Sequence, residues 1–362
     1  MWASYRFYTY FIYMVQVMHA VENTFVENNV VATSWCVMAL LMVVIALLNE
    51  NIIQRSAPMI GCVRKFIYER IDKSSDSRYD SKARKTFIRT SRIVSLGVLA
   101  LVIMDEMLIP LILVLHEDRI FGIPSILCFS NKFLRGALHL TYLVTVLPIW
   151  LFKVFIPIVL TTLLYTGVHC ELNIFTKEFE EVCDRARKYI LDQPESLFWK
   201  ELTDEVKMHL AKHASYLEIQ RQLGKFLGKL FLVTYYGDVI NIGTMIFALI
   251  KEGFSPSSPV LLLSISSFFI QCYWWCRLAE YFQENNNSIE QHFTELMLAI
   301  PYSRKHRSCY HQLRTSLMIL KICTQGSTSV KMTSEQIINI QIFTRLLHIS
   351  YTAVTFLIDM DG

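Results

Sequence analysis

The sequence predicts an all-α membrane protein with seven transmembrane helices, a cytoplasmic N-terminus, an extracellular C-terminus and cytoplasmic helical extensions. Composition is the first observation behind this prediction, because 53% of the 362 residues are hydrophobic and only 18% are charged. Soluble domains are about a quarter charged. The second observation is that the hydrophobic residues fall in blocks close to the roughly 20 residues that a helix needs to cross a bilayer.

Seven hydrophobic blocks follow one another along the chain, and we expect them to form one membrane domain over residues 1–362. The first block is the shortest, and the last is rich in polar residues. The predicted spans are residues 7–20, 30–48, 93–115, 137–166, 230–250, 258–280 and 336–358.

Lys and Arg are divided unequally between the two sides of this arrangement. Twenty-seven of them lie at Arg6 and in the loops 49–92, 167–228 and 281–335, against four in the loops on the other side. Membrane proteins carry their excess of Lys and Arg in cytoplasmic loops. The charges therefore predict that the N-terminus and the three long loops lie in the cytosol, and that the C-terminus lies outside.

Two of the cytoplasmic loops are predicted to be helical. In residues 171–191 and 199–228, apolar residues recur near helical spacing among charges, and Gln193-Pro194 separates the two segments. Residues 286–321 show a similar pattern, which breaks at Ile300-Pro301. A solvated surface helix and a contact between subunits both fit this pattern.

No motif of a common enzyme class is present. The sequence lacks the P-loop, the dinucleotide-binding glycine pattern, the zinc-protease motif and the hydrolase nucleophile motif. The ten His are scattered, and the nine Cys lack the paired spacing of a metal site. We therefore predict no enzyme, no cofactor and no metal. Lys and Arg dispersed between apolar blocks also predict no nucleic-acid partner.

A G-protein-coupled receptor also has seven spans, but two features argue against that class. The charges place the N-terminus inside, whereas such receptors have it outside. The landmark sequences D/E-R-Y after the third span and N-P-x-x-Y in the seventh are also missing.

Four charged residues interrupt the third, fourth and fifth predicted spans: Asp105, Glu106, Lys153 and Asp238. A charge at the centre of a membrane helix costs about 2.5–3.5 kcal/mol on insertion scales, so such residues usually face each other or a cavity. One hypothesis is an ion pair of Lys153 with one of the three carboxylates. A second is a small-molecule pocket, which aromatic and polar neighbours would suit. A third is snorkelling of these side chains on the lipid side. The candidate ligand-binding residues are Glu106, Tyr142, Thr145, Trp150, Lys153, Asp238, Phe269 and Gln271.

Polar residues in the last span recur at steps of three or four, which places them on one stripe of a helix. A polar stripe is unfavourable against lipid, because its side chains need hydrogen-bond partners. It could join helices within one subunit, or it could line an aqueous pore built from several copies. The residues are Gln341, Thr344, Arg345, His348, Thr352 and Thr355.

The end of the last span carries a recognisable pattern. Residues 350–358 read Ser-Tyr, then TAVTF, then Leu-Ile, and an apolar run with a small-residue turn precedes them at 319–333. This resembles the C-terminus of the insect gustatory receptor family, part of the seven-transmembrane insect chemoreceptor superfamily and related to insect odorant receptors. That family ends its last helix with Thr-Tyr, five apolar residues and Gln-Phe. The resemblance covers about the last 40 residues in motif and the whole chain in architecture.

The resemblance implies a gustatory-type ligand-gated, non-selective cation channel in the plasma membrane of a sensory neuron. Members of this family look like channels built as tetramers. The last helix of each subunit lines a central pore, and a small-molecule tastant binds among the other helices. Here His348, Thr352 and Thr355 would face the pore, and Val354 and Leu357 would lie at gate level. Gln341, Thr344 and Arg345 extend the same stripe. Leu357 replaces the family's Gln, so both a homotetramer and a heterotetramer with a related subunit fit the sequence.

Two other functions stay open on the sequence. A secondary transporter would use Asp105, Glu106, Lys153 and Asp238 as coupling groups, although the paired broken helices and two-fold repeat of that class are missing. A non-conducting partner subunit would explain the altered C-terminal motif.

Overall fold

The computed structural model describes residues 2–25, 30–69, 76–116, 132–192, 195–253, 258–327, 329–333 and 336–361. Nine α-helices account for nearly all of this described part. They are α1 (Trp2–Phe25), α2 (Val30–Arg55), α3 (Ala57–Glu69), α4 (Ser77–His116), α5 (Lys132–Asp192), α6 (Glu195–Glu252), α7 (Ser258–Ala299), α8 (Arg307–Ser327) and α9 (Ile340–Asp361).

Helices α4 to α7 are much longer than the spans predicted for them. Helix α5 has 61 residues and is about 90 Å long at the rise of an α-helix, whereas the bilayer core is about 30 Å thick. The helices predicted at 171–191 and 199–228 are therefore continuations of α5 and α6. The predicted break near Ile300-Pro301 is confirmed, because α7 ends at Ala299 and α8 begins at Arg307.

Five stretches in the described residues are long and apolar enough to cross a membrane, and they correspond to the second to sixth predicted spans. These stretches are Thr33–Arg55, Ser77–Met104, Lys153–Arg185, Trp199–Lys251 and Ser258–Ala299. Helices α1 and α9, with 24 and 22 residues, are not among these five stretches. A total of seven crossings, and the side on which each terminus lies, therefore stay predictions.

The first core occupies the bundle formed by the apolar stretches, and helix α6 passes through its middle. Helices α2 and α6 approach closely: a Cβ built on Gly237 of α6 would lie 2.2 Å from Ile45 Cδ1 of α2. On its other side α6 packs Phe231 against Trp275 of α7, with ring centroids 6.1 Å apart. Both aromatic residues are almost fully buried.

A second core lies beyond the predicted spans, where α5, α6, α7 and α8 pack together. Its centre is aromatic: Phe179 of α5 meets Phe293 of α7 edge to face, with ring centroids 5.2 Å apart. Trp199 of α6 and Leu317 of α8 are also buried there. The apolar faces predicted for the cytoplasmic helices are thus covered by one another, which excludes a fully solvated surface role for them.

A polar contact ties α8 to α6 inside the second core. His213 Nε2 lies 2.9 Å from Thr324 Oγ1, and the Thr324 hydroxyl donates to the Leu320 carbonyl oxygen at 2.8 Å. Because that hydroxyl proton is already used, the imidazole is the donor in the first bond. The His213 ring also stacks on Phe175, with a centroid distance of 5.8 Å.

A short turn joins the second core to α9. Its two sides pair through a bridge between Lys331 and Ile337, and Val330, Met332 and Ile338 are buried. The start of α9 is then fixed twice. Asn339 Oδ1 caps the helix by accepting from the Gln341 N–H at 3.1 Å, and Glu280 Oε1 of α7 accepts from the Ile340 N–H at 3.1 Å.

Replacing Gly228 with Ala is expected to displace this turn and lower stability. A Cβ at Gly228 would lie 2.1 Å from the Lys331 carbonyl oxygen, and a backbone atom cannot move aside by changing a rotamer. We expect a loss of about 1–3 kcal/mol, measured as a lower thermal unfolding midpoint of the purified protein in detergent.

Gly224→Ala is the matched control, one turn earlier on the same helix, where nothing lies within 4 Å of the added Cβ. There the better helix propensity of Ala should raise stability by about 0.5–1 kcal/mol. Equal midpoints for the two variants would contradict the close approach of α6 to the turn.

Candidate functional site

One face of α9 attaches it to the bundle. Ile342, Leu346 and Ser350, spaced four residues apart, are buried there. The side chains of the polar stripe lie on the opposite side, about 160° around the helix at 100° per residue. The stripe therefore does not hold α9 to its own bundle, contrary to the hypothesis that it joins helices within one subunit. Its exposed members are Gln341, Thr344, Arg345, His348 and Thr352.

The remaining residues predicted for the pore lie nearer the bundle or outside the described side chains. Val354 and Thr355 are half-buried. Leu357 belongs to α9, but its side chain lies outside the described part of the structure. Arg345 sits at the margin of the stripe, close enough to Tyr235 of α6 to interact with it electrostatically.

The hydroxyl groups of the threonines in the stripe donate to backbone carbonyl oxygens of α9 itself. The Thr352 hydroxyl donates to the His348 carbonyl oxygen at 2.9 Å, and the Thr355 hydroxyl donates to the Thr352 carbonyl oxygen at 2.9 Å. The Thr344 hydroxyl bonds to the Ile340 carbonyl oxygen in the same way. Each hydroxyl oxygen keeps lone pairs that can accept a hydrogen bond or contact a cation. The stripe thus offers acceptors with no unpaired hydroxyl donors at these positions.

Lys153 pairs with a carboxylate that the sequence analysis did not consider. Its Nζ lies 2.8 Å from Glu50 Oε2 of α2 and donates to Thr9 Oγ1 of α1 at 3.4 Å. The sequence prediction ended the second span at residue 48 and so left Glu50 in a loop. Helix α2 in fact continues to Arg55, which carries the Glu50 carboxylate to the end of the bundle.

A cavity of about 610 Å³ lies beside this ion pair, between α1 and α2. Tyr10, Tyr13 and Leu47 form its apolar walls, and Thr9 and Glu50 supply polar groups. Ligand sites commonly have volumes of about 300–1,000 Å³ and combine aromatic walls with a few polar groups. Lys153 therefore bonds to two residues, Thr9 and Glu50, that line this cavity.

Asp238 lies on α6 and Gln271 on α7, two helices that pack against each other. Asp238 is 2% exposed and Gln271 is 1% exposed. Asp238 lies close enough to Cys272, the neighbour of Gln271, to interact with it electrostatically. Asp238 Oδ2 and both amide atoms of Gln271 have no hydrogen-bond partner in the described part of the chain.

Two further residues, missed by the sequence analysis, extend this group into a polar seam. Thr234 and Asn241 are buried on α6, and their Oγ1 and amide atoms also lack partners within the described residues. Thr234 lies four residues before Asp238 and Asn241 lies three residues after it, so all three are on one helix face. This spacing is the signal by which the sequence could have identified them. The polar seam is defined here as Thr234, Asp238, Asn241 and Gln271. Buried polar atoms without partners are unfavourable unless something fills the site.

The predicted ligand-binding residues therefore do not form a single described cluster. Lys153 bonds to residues that line the α1–α2 cavity, and Asp238 and Gln271 belong to the polar seam. Phe269 turns toward α9, where its ring meets Phe343 edge to face with centroids 6.5 Å apart. The side chains of Asp105, Glu106, Tyr142, Thr145 and Trp150 lie outside the described part of the structure. In the residues that are described, no group of three or more His, Cys, Asp or Glu is placed to hold a metal.

This helical arrangement has counterparts among solved structures. The chain has the fold of an insect olfactory receptor. The structure of the insect olfactory receptor OR5 from Machilis hrabei superposes with a TM-score of 0.72 at 10% sequence identity, over 96% of this chain and 86% of that one. The complex of the same receptor with eugenol gives a TM-score of 0.73 at 10% identity, over 97% and 87%.

The sequence matches no protein-family model and no curated protein. At 10% identity the likeness establishes the fold alone. It supports an all-helical fold like that of the insect olfactory receptor. Membership of the insect chemoreceptor superfamily and the gustatory assignment stay predictions.

Breaking the ion pair of Lys153 and Glu50 is expected to destabilise the bundle. Lys153→Met leaves a largely buried carboxylate without its partner, which costs about 2–3 kcal/mol here because Glu50 keeps some exposure. The double change Lys153→Met with Glu50→Leu should recover most of that loss. Thermal unfolding of the single and double variants measures both effects.

Lys177→Met is the control for this comparison. It removes an ion pair with Glu180 in which both side chains are exposed by about a third or more, so the loss should stay below about 1 kcal/mol. A double variant no more stable than Lys153→Met alone would show that the pair is not the reason for the loss.

Proposed function

We propose that this chain is a subunit of a gustatory-type chemosensory receptor, a non-selective cation channel that a small molecule opens. One observation carries the proposal: the polar stripe of α9 is exposed on the side opposite the face that packs on the bundle. Such a stripe is unfavourable in lipid, and water or neighbouring subunits would relieve it. Several copies arranged around one axis would turn the stripes inward to line an aqueous pore.

In this assembly the hydroxyl oxygens of Thr344, Thr352 and Thr355 would face permeating cations, together with Gln341 and His348. Val354 and Leu357 would form an apolar gate toward the outer end. Arg345 lies at the margin of the stripe beside Tyr235, so its charge would stand away from the pore axis.

Helix α8 supplies a surface for the assembly. Met318, Ile319 and Ile322 are each more than half exposed, and Cys323 is exposed beside them. These four residues, named the α8 patch, lie on the side of α8 away from the second core. Apolar patches in contact with water mark protein contacts. In our proposal the α8 patch packs against a neighbouring subunit of a homo- or heterotetramer in the plasma membrane of a sensory neuron.

The polar seam is the proposed ligand site. Asp238 and Gln271 provide buried hydrogen-bonding atoms without partners in the described chain, and Phe269 lies close by on α7. Glu106, Tyr142, Thr145 and Trp150 would complete the site from α4 and α5. The eugenol complex of the structurally similar receptor supports a small aromatic molecule with a hydroxyl group as the type of tastant.

Removing the stripe's hydroxyls is expected to change which ions pass. Thr352→Val and Thr355→Val keep side-chain shape but delete the oxygen lone pairs, so the permeability ratio of calcium to sodium should shift about two-fold or more. The measurement is the reversal potential of ligand-evoked current in oocytes, with a panel of small phenols as ligands and G-protein signalling blocked.

Ser350→Ala is the matched control, because the Ser350 hydroxyl is buried and bonded to the Leu346 carbonyl oxygen. It should leave the permeability ratio unchanged. Unaltered permeation across substitutions at 341–357 would reject the pore assignment. A chain that is silent alone but alters the ligand response of a co-expressed receptor would instead identify a non-conducting partner.

Charging the α8 patch is expected to separate the subunits. Ile319→Glu with Ile322→Glu places two carboxylates in the proposed contact and should convert tetramers to monomers, as measured by mass photometry in detergent. Gln312→Glu with Thr315→Glu adds the same charge at exposed positions earlier on α8 and should leave the oligomer intact. Identical mass distributions for both double variants would exclude this surface.

A further inference from the structure

A second cavity, separate from the polar seam and the pore, opens at the predicted cytoplasmic boundary of the membrane. It has a volume of about 390 Å³ and lies between α4, α5 and α7. Its walls are partly aromatic, with Tyr165, Trp274 and Tyr281 among the lining residues. The Trp274 indole N–H is held by a bond to Thr162 Oγ1 at 2.9 Å. The cavity therefore combines an apolar interior with a few fixed polar groups.

A row of cations runs along α4 beside this cavity. The basic stripe is Arg78, Lys82, Lys85, Arg89 and Arg92. Their alternating steps of four and three residues place them on one face of the helix, and all five are exposed. A shallow groove of about 580 Å³ follows the stripe. Lys82 and Thr86 line both the groove and the cavity, so the two lie next to each other.

Among the residues that the structure describes, no carboxylate forms an ion pair with the basic stripe. Elsewhere in the described cytoplasmic segments cations pair with acids, as Lys212 does with Glu178 at 3.0 Å. None of the five stripe residues forms such a pair within the described part of the chain. The acidic groups nearby have other partners: Arg84 engages Glu171 at 3.3 Å, and Asp76 Oδ1 accepts from the backbone N–H of Arg78 at 2.9 Å.

The stripe leads directly to a surface suited to acyl chains. Only 11% of the apolar stretch of α4 is buried, the lowest share among the five candidate spans. Ile93 and Leu96, just above Arg92, are 59% and 57% exposed. Positive charge, a partly aromatic cavity and an exposed apolar helix thus follow one another in the order in which a membrane lipid presents its phosphate, glycerol and acyl chains.

We propose that the groove and cavity on α4 bind an anionic phospholipid of the cytoplasmic leaflet. Lys82, Lys85 and Arg89 hold its phosphate, Thr86 and Thr90 offer hydroxyls to its polar backbone, and the acyl chains lie along the upper part of α4. Basic clusters next to a membrane helix attract anionic lipid headgroups strongly, and charge-assisted bonds to phosphate oxygens are the strongest type available here. The lipid would bridge α4 to α7, whose Tyr281 adjoins the Glu280 that fixes the start of α9.

The test uses the full chain reconstituted in phosphatidylcholine nanodiscs with spin-labelled phosphatidylserine or spin-labelled phosphatidylcholine. The motionally restricted fraction of each label gives the selectivity of the protein for the anionic lipid. We expect about five-fold selectivity or more in the native chain. The triple variant Lys82→Gln, Lys85→Gln and Arg89→Gln should lower that selectivity at least three-fold.

Lys200→Gln, Lys207→Gln and Lys305→Gln form the control triple. These lysines are also exposed and lie near the second core. Replacing them therefore removes the same charge as the first triple variant, but far from the groove. Selectivity should persist in this control, and an equal loss in both triples would reduce the effect to net charge and overturn the site. Matching unfolding midpoints for the two triples exclude misfolding as the cause.

Two more arms separate the possible occupants. Soluble glycerophosphoserine in millimolar excess should not displace the labelled lipid, and displacement would show that the site takes a free phosphate instead of a membrane lipid. Ala83→Trp fills the cavity without changing charge and should also lower the selectivity. An unchanged value in this variant would remove the cavity from the proposal.

Discussion

A helix that crosses lipid must satisfy its own backbone hydrogen bonds, and this protein meets that constraint by continuing the same helices into water. Helices α5, α6 and α7 run without interruption from the bundle into the second core. Ending them at the membrane surface would have left carbonyl and N–H groups to be capped there. The two cores are therefore joined by three continuous helices. A movement of these helices in one core is transmitted to the residues of the other core.

Helix α9 is attached in a different way. It has no continuous extension into the second core, and it begins after a turn that packs its backbone on Gly228. That glycine and Asp238 of the polar seam lie on the same helix, ten residues or about 15 Å apart. A ligand that draws α6 toward α7 at the seam would therefore act on the base of α9 through one stiff element. Coupling of this kind needs an element with two arrangements, and the contact of α6 with the turn is the place where they would differ.

The sequence predicted which segments enter the membrane better than it predicted which residues each side chain contacts there. Hydropathy located five spans, and helical periodicity found the extensions of α5 and α6, because both signals are local. Neither signal identified α3, because residues 57–69 are too mixed in polarity to be distinguished from the rest of a basic loop. The sequence analysis did not identify Glu50 as a partner of Lys153 because Glu50 follows the apolar block, although the helix continues past it. Thr234 and Asn241 were missed since their importance depends on the rotation of α6, which periodicity alone does not fix.

The two polar features of the bundle call for different solutions. The α9 stripe faces outward, and its threonine hydroxyls already bond to their own helix, so it needs only water or another copy beside it. The polar seam faces inward, and its amide and carboxylate atoms have no partners in the described chain, so assembly around an outside axis cannot relieve it. Oligomerisation would satisfy the polar groups of the α9 stripe, and a bound molecule would satisfy those of the polar seam. A subunit with both features would thus stay incomplete until it has assembled and bound, as expected of a channel whose opening depends on a ligand.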